Sequence, residues 1–421
     1  MKTITQIKKH AAFGIVFTIA KATVYIAPLL VAEILSKEDF GILEYALAGL
    51  GMVINTLINL GVPSAYPYFK LKNNNIAVDN VFNFHYTWLL AFFIISQVCY
   101  YTFNFDLSYF IALNVAFVIS NQLYISTQLK TKEKISIAVL FDSGVYVVIL
   151  LFVVLSYLKI VTPSIQVVSN LVQCYAILYV FHAIYQFLKI DFKELFNNYR
   201  SVLAYSFPVL IGSLLIYFLT VSGRILIEFF LNDYELVGIY AFYFRLSAVI
   251  VMLHQVINIV FFKKMYQLNP KILDHYFSIC FGGLYIISIS AFVVVPYILP
   301  YFSEFYETTK NDYKSVYFLL CTQMVFWIAT ALFSNIIDRE KLANKNNKLF
   351  LFLLTVFLFV LWVIKSNLTI QIFTFVHMFV VFLATLIQIY SLTKKQIVFK
   401  KSFYTIIGIN LLSLMIFLFL L

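Results

Sequence analysis

The chain has 421 residues, of which 62% are apolar and only 12% charged, and its mean hydropathy is +0.92. A soluble domain of that size needs far more polar surface, so that class is excluded. The net charge of +11 would suit nucleic acid if it were gathered on one folded face, but the basic residues sit in short connections between apolar runs, which points to a membrane.

The apolar runs are long enough as helices to cross a hydrocarbon core of about 30 Å. The first, 11–34, is followed by no small-residue cleavage motif and is expected to remain as a helix. Lys21 lies about ten residues into it, roughly 15 Å along a helix rising 1.5 Å per residue, near the membrane centre. Gly14, Thr18, Lys21, Tyr25 and Pro28 follow at spacings of three and four, which is one helical face. Before the second run, 42–67, stand Glu38 and Asp39, which read as favourable acids at a helix N-terminus rather than as a metal motif. That run carries Glu44, Ala48, Gly51, Asn55 and Asn59 on one face.

Runs at 82–102, 107–128, 136–158 and 165–188 complete the first half. The fifth holds Asp142, an intramembrane carboxylate of the kind usually kept for function, and also the natural ion partner for Lys21. The seventh run, 203–230, has Ser206, Ser213, Tyr217, Thr220, Arg224 and Glu228 on one face, with Glu228 placed to neutralise Arg224 at i+4. The eighth, 236–262, has a polar stripe of Tyr240, Ser247, His254 and Asn258. Arg245 sits about 200° around that helix from Ser247, at 100° per residue. Runs at 275–299, 315–337, 348–364, 368–391 and 402–421 bring the expectation to thirteen spans, the last crossing to leave the C-terminus outside. Pro28 and Pro208 fall inside spans, where each removes a backbone hydrogen bond and permits a kink or hinge.

Three cations, Lys21, Arg224 and Arg245, therefore lie where lipid-spanning sequence is expected to hold none, and they suggest an anionic cargo. Of the remaining basic residues, 22 fall on one set of alternate connections and five on the other. This bias predicts a cytoplasmic N-terminus. Glu33, Glu44 and Glu228 lie nearer the outer span ends, within reach of water. Cys99, Cys174, Cys280 and Cys321 are scattered through spans without a C-x-x-C pair and read as small apolar residues. His182, His254 and His377 have no metal-ligand spacing. Most of the 30 Tyr and 46 Phe read as packing and interfacial belts; Tyr25 and Tyr217, on polar stripes, are the candidates for cargo contact. The outer connections are short, the longest running around Pro300 to Tyr313, which disfavours a glycan polymerase or transferase.

A weak repeat organises the chain. I-L-S-K-E-D-F-G-I-L-E-Y-A from Ile34 parallels F-L-N-D-Y-E-L-V-G-I-Y-A-F from Phe230, and Gly41 matches Gly238 at an offset of 197. Spans one to six then superpose on seven to twelve, as two parallel halves. S-K-E-D-F-G-I-L with N-L-G-V-P-S-A-Y (Asn59 to Tyr66), and later Y-S-F-P-V-L-I-G-S (Tyr205 to Ser213), S-G-R-I-L-I and V-G-I-Y-A, resemble the polysaccharide transporter family, which includes O-antigen and capsule repeat-unit flippases. That family shares a superfamily with multidrug exporters of the MATE type and the lipid II flippase. The chain departs from it at Gly223, where members often carry Asp immediately before the arginine that Arg224 matches.

The resemblance implies an all-α polytopic membrane protein with two pseudo-symmetric, MATE-like six-helix lobes. These are expected over 1–195 and 196–395, with an extra C-terminal transmembrane segment over 396–421. It implies a transporter rather than an enzyme, a flippase for undecaprenyl-diphosphate-linked oligosaccharides in the bacterial inner membrane, with an exporter of small molecules as the alternative. Lys21, Arg224, Arg245, Tyr25 and Tyr217 are the expected cargo contacts. Asp142, Glu44 and Glu228 are the expected sites of coupling to a proton or sodium gradient, with no cofactor and no metal. Expected partners are the lipid-linked oligosaccharide, membrane lipids and polysaccharide polymerase machinery, and no nucleic acid.

Overall fold

The computed structural model describes residues 2–72, 78–192, 195–254 and 268–420, with the side chains of 2–12, 72 and 197 left aside. Asn258, Lys263 and Lys264 lie outside the described residues, as does Lys193. All regular structure among the described residues is helical. In the first half the helices are α1 Lys2–Ala32, α2 Lys37–Glu44, α3 Leu50–Ile58, α4 Val62–Pro67, α5 Val78–Phe103, α6 Leu107–Thr131, α7 Ile135–Asp142, α8 Gly144–Tyr157 and α9 Ile165–Phe187. They continue with α10 Leu195–Thr220, α11 Gly223–Leu231, α12 Tyr234–Ser247, α13 Pro270–Ile298, α14 Glu304–Thr309, α15 Lys314–Arg339, α16 Ala343–Val363, α17 Ile370–Thr393 and α18 Lys400–Leu420.

Eleven helical stretches are long and apolar enough to cross a membrane, and α7 with α8 makes a twelfth if that bent pair is one span. This is an all-α polytopic membrane protein. The eighth expected run begins as α12, turns at Ala248 and resumes as helix over 249–254, beyond which it leaves the described residues.

The second, fifth and seventh expected spans are also interrupted, and at the first two of these breaks a distant segment lies against a glycine. The second stops at Ile58 because Leu60 and Gly61 adopt positive φ, 49° and 71°. A Cβ at Gly61 would meet the Ser206 carbonyl oxygen at 2.5 Å, so only glycine suits that approach. The fifth bends by 55° between α7 and α8, and there Gly144 lies so close to the Tyr175 hydroxyl and the Gln122 amide that a Cβ would overlap both. The seventh breaks at Val221 and Ser222, between α10 and α11.

The chain divides into two compact units, Met1–Leu214 and Leu215–Leu421, a boundary inside α10 just beyond Pro208. In the first unit α6 is the buried centre, with 78% of its most apolar window covered, packed by α3, α5, α7 and α9. In the second, α15 takes the same part with 89% of its window covered, surrounded by α12, α13, α17 and α18. Lipid is as apolar as leucine, so such a bundle is held by close packing and internal hydrogen bonds rather than by water exclusion. The large apolar side chains left outside fit that solvent, among them Ile15, Ile19 and Ile26 on α1 and Phe352, Phe359 and Trp362 on α16.

The repeated motif folds into the same device twice. Ser36 accepts the amide of Asp39 at 3.1 Å to start α2, and Asp233 accepts the amide of Leu236 at 3.0 Å to start α12. These N-caps satisfy otherwise orphaned amides, and 233 minus 36 is the offset of 197 that relates Gly41 to Gly238. The last helix, α18, is capped from outside its own segment. Asp274 of α13, 6% exposed, accepts the Lys401 amide at 2.9 Å, the Ser402 amide at 2.8 Å and the Ser402 hydroxyl at 2.7 Å. Further along, Ser278 meets Thr405 at 2.7 Å and Tyr285 meets Ser413 at 2.9 Å.

Candidate functional site

In the first unit Lys21 is half-buried, with its ammonium 5.8 Å from the centre of the Phe17 ring. Its helix, α1, lies along α7 and α8, and the small buried residues Ala20, Ala27 and Val31 permit the close approach. Asp142 is the last residue of α7, at the bend itself. Its carboxylate accepts the Lys130 ammonium at 2.8 Å. The expectation that Lys21 holds Asp142 is thus corrected, because the direct partner is Lys130 in the last turn of α6, against which the short connection folds α7 back. Lys21, Lys130 and Asp142 thus lie on helices packed together around one bent span. Beside the bend, Gln122 donates to the Tyr175 hydroxyl at 3.2 Å, and Tyr175 meets Tyr179 at 2.9 Å.

The polar face of the second run is packed inside this unit. Asn59 and Ser120 both donate to the Asn55 side-chain oxygen at 2.8 Å, and the Tyr124 hydroxyl reaches the Asn59 carbonyl at 3.3 Å. Helix α6 therefore covers the end of the stripe, around Asn55 and Asn59, that the spacing alone left open to a cavity. Glu44 is 0% exposed, which corrects its expected access to water; it directly precedes a π-helical turn over Tyr45–Gly49. Tyr25 is half-buried on α1. A separate cavity of about 740 Å³ is lined by Leu60, Tyr199, Arg200, Leu203, Phe207 and Pro208, an apolar space with one cation in its wall.

In the second unit Arg224 is 2% exposed. Its guanidinium lies over the Phe244 ring at 4.7 Å, a geometry that favours a desolvated cation. The departure at Gly223 has a steric cause, since a Cβ there would run into the Tyr240 phenol, so this chain replaces a preceding acid with an aromatic wall. Tyr240 in turn meets His377 Nδ1 at 3.3 Å, and His377 stacks on Phe357 at 5.6 Å. Gln323 donates to the Thr220 carbonyl at 3.4 Å, at the break between α10 and α11, and lies 3.5 Å from His377 Nδ1.

That break divides the expected stripe of the seventh run. Ser206 and Thr220 are buried, Ser213 is exposed and Tyr217 is half-buried, while Arg224 and half-buried Glu228 belong to a separate short helix. Arg245, on α12, is 6% exposed. The four cysteines are free, and among the described residues no group of three His, Cys, Asp or Glu is placed to hold a metal ion. Sequence reasoning missed Lys130, Phe244 and Gln323 as partners, because each contact joins residues that no helical spacing relates.

Residues 9–262, more than half of the chain, match the model of a family described as polysaccharide biosynthesis protein. The chain belongs to that family. The match agrees with the resemblance to polysaccharide transporters, and with many apolar helices it makes this a multi-pass membrane protein of polysaccharide biosynthesis. No curated protein and no solved structure matches the chain. Within this polysaccharide biosynthesis protein, Lys21, Tyr25, Glu44, Asp142, Tyr217, Arg224, Glu228 and Arg245 all fall inside the matched stretch, whereas Asp274, Gln323, His377 and the whole of α18 lie beyond it.

Proposed function

We propose that the protein is a flippase, and not an enzyme, that carries undecaprenyl-diphosphate-linked oligosaccharides from the cytoplasmic to the outer leaflet of the bacterial inner membrane by alternating access. The observation that carries this reading is that a member of a polysaccharide biosynthesis family keeps Lys21 inside a span of one unit and a buried Arg224 just past the end of a span in the other, each against an aromatic ring. A diphosphate offers several acceptor oxygens and a charge that an intramembrane ammonium or guanidinium complements in low dielectric. Lys21, half-buried, is the first contact for that group, with Tyr25 and Tyr217 as contacts for the sugars. The cargo is an O-antigen or capsule repeat unit, and the product goes to polymerase machinery on the far face.

Coupling to a proton or sodium gradient would run through Asp142, whose carboxylate holds Lys130 at the bend of the fifth span. Glu44 and Glu228 are further candidates for the same role. Exporters of small cationic drugs would be better served by acids than by these cations, which disfavours that alternative. Depleting the protein tests the reading. Complete lipid-linked repeat units should accumulate on the cytoplasmic face, and accumulation of unpolymerised units on the outer face would overturn it.

A further inference from the structure

We propose that the corner between α17 and α18 binds one anionic phospholipid, its phosphate on lysines and an acyl chain in the groove beneath. Both helices are long and apolar enough to span, so their short connection lies at the boundary between hydrocarbon and water. The corner encloses a groove of about 290 Å³ whose lining includes Ile389, Tyr390, Val398, Phe403, Tyr404 and Lys400. Its floor is apolar, and its Tyr390 and Tyr404 walls are more than half exposed, as suits aromatic side chains at headgroup depth.

Charge complementarity decides the occupant. Lys394, Lys395, Lys400 and Lys401 are all exposed at this corner, and the sequence from Tyr390 to Tyr404 contains no acid. The Lys394 ammonium is held 4.6 Å from the centre of the Tyr390 ring, at the groove. Among the described residues, the carboxylate that meets the start of α18 is Asp274, which is buried and turned toward the α18 amides. It therefore closes the helix N-terminus to a ligand anion and leaves the lysine side chains to bind it. A ligand that joins a phosphate to a long apolar chain satisfies both halves of the site, whereas inorganic phosphate uses only one. Basic pockets between membrane helices bind anionic headgroups by this division of labour.

The test is titration of the full-length protein in detergent by native mass spectrometry, with dioleoyl phosphatidylglycerol and dioleoyl phosphatidylcholine as probes. One phosphatidylglycerol should bind about tenfold more tightly than phosphatidylcholine. Removing a lysine is expected to weaken it on the order of fivefold, so Lys394→Gln with Lys400→Gln should abolish the preference. Val398→Trp, at an exposed position, should fill the groove and weaken both lipids. Lys341→Gln with Lys345→Gln, on another basic connection, should change nothing. Equal affinity for the two lipids, equal loss in the distant double variant, displacement by millimolar inorganic phosphate, or unchanged binding in the tryptophan variant would each overturn the proposal.

Discussion

A lysine inside a span is expensive wherever it points, and Lys21 shows how a protein keeps one. Asp142, on the helix packed against α1, holds Lys130 at 2.8 Å and not Lys21. Lys21 is thereby left able to meet another anion, and Lys130 is the residue whose removal would free Asp142. Lys21→Ala should stop transport, measured as loss of repeat units from the outer leaflet, while Lys21→Arg should retain part of it. Lys130→Gln should release Asp142 toward Lys21 and lower transport by about tenfold, with Lys130→Arg restoring it; full transport in the glutamine variant would remove Lys130 from the mechanism. At Gly223 the prediction concerns stability. Gly223→Ala drives a methyl into the Tyr240 ring and should cost about 1–3 kcal/mol, the usual range for overpacking. The loss would be read from thermal unfolding in detergent and relieved when Tyr240 is shortened to Ala.

Among the elements, the interruptions carry more information than the straight helices. Position 61 turns because Ser206 lies against it, with the Ser206 hydroxyl donating to the Leu60 carbonyl at 2.8 Å and Tyr205 stacked on Tyr68 at 4.5 Å. The start of α10 is thus tied to the first unit, on the near side of Pro208. At the other end of the chain, Asp274 supplies the N-cap that α18 has no residue of its own to provide. Asp274→Ala leaves two amides unsatisfied and should cost about 1–2 kcal/mol, the upper range for a lost cap. The expected consequence is faster protease cleavage between α17 and α18, with Asp274→Asn intermediate; unchanged cleavage in the alanine variant would mean that α18 is held by its apolar face alone.

For the whole molecule, the positions of the spans were legible because about 20 consecutive apolar residues is a local property that needs no neighbours. The eleven spanning helices and the bent pair fall on twelve of the expected runs. Charge bias is equally local, and it predicts orientation. A single cysteine at position 365 in a cysteine-free chain should react with an impermeant maleimide in intact cells, and one at position 132 should react only after the membrane is opened; the reverse pattern would invert the topology. The repeat too was readable, since Ser36 and Asp233 cap their helices at the same offset as the paired glycines.

The sequence by itself determined the class of this protein, most of its spans and the lysine inside the first of them, because hydropathy and charge act residue by residue along a helix. Only the tertiary structure decided which polar groups are already satisfied and where helices stop. Asn55 looked open to a cavity on a helical wheel and is taken by Asn59 and Ser120; Asp142 looked like the mate of Lys21 and belongs first to Lys130; Thr220 ends its helix within reach of Gln323. A hydrogen bond or an ion pair is a relation between two surfaces, and which surfaces meet is set by the packing of the whole unit.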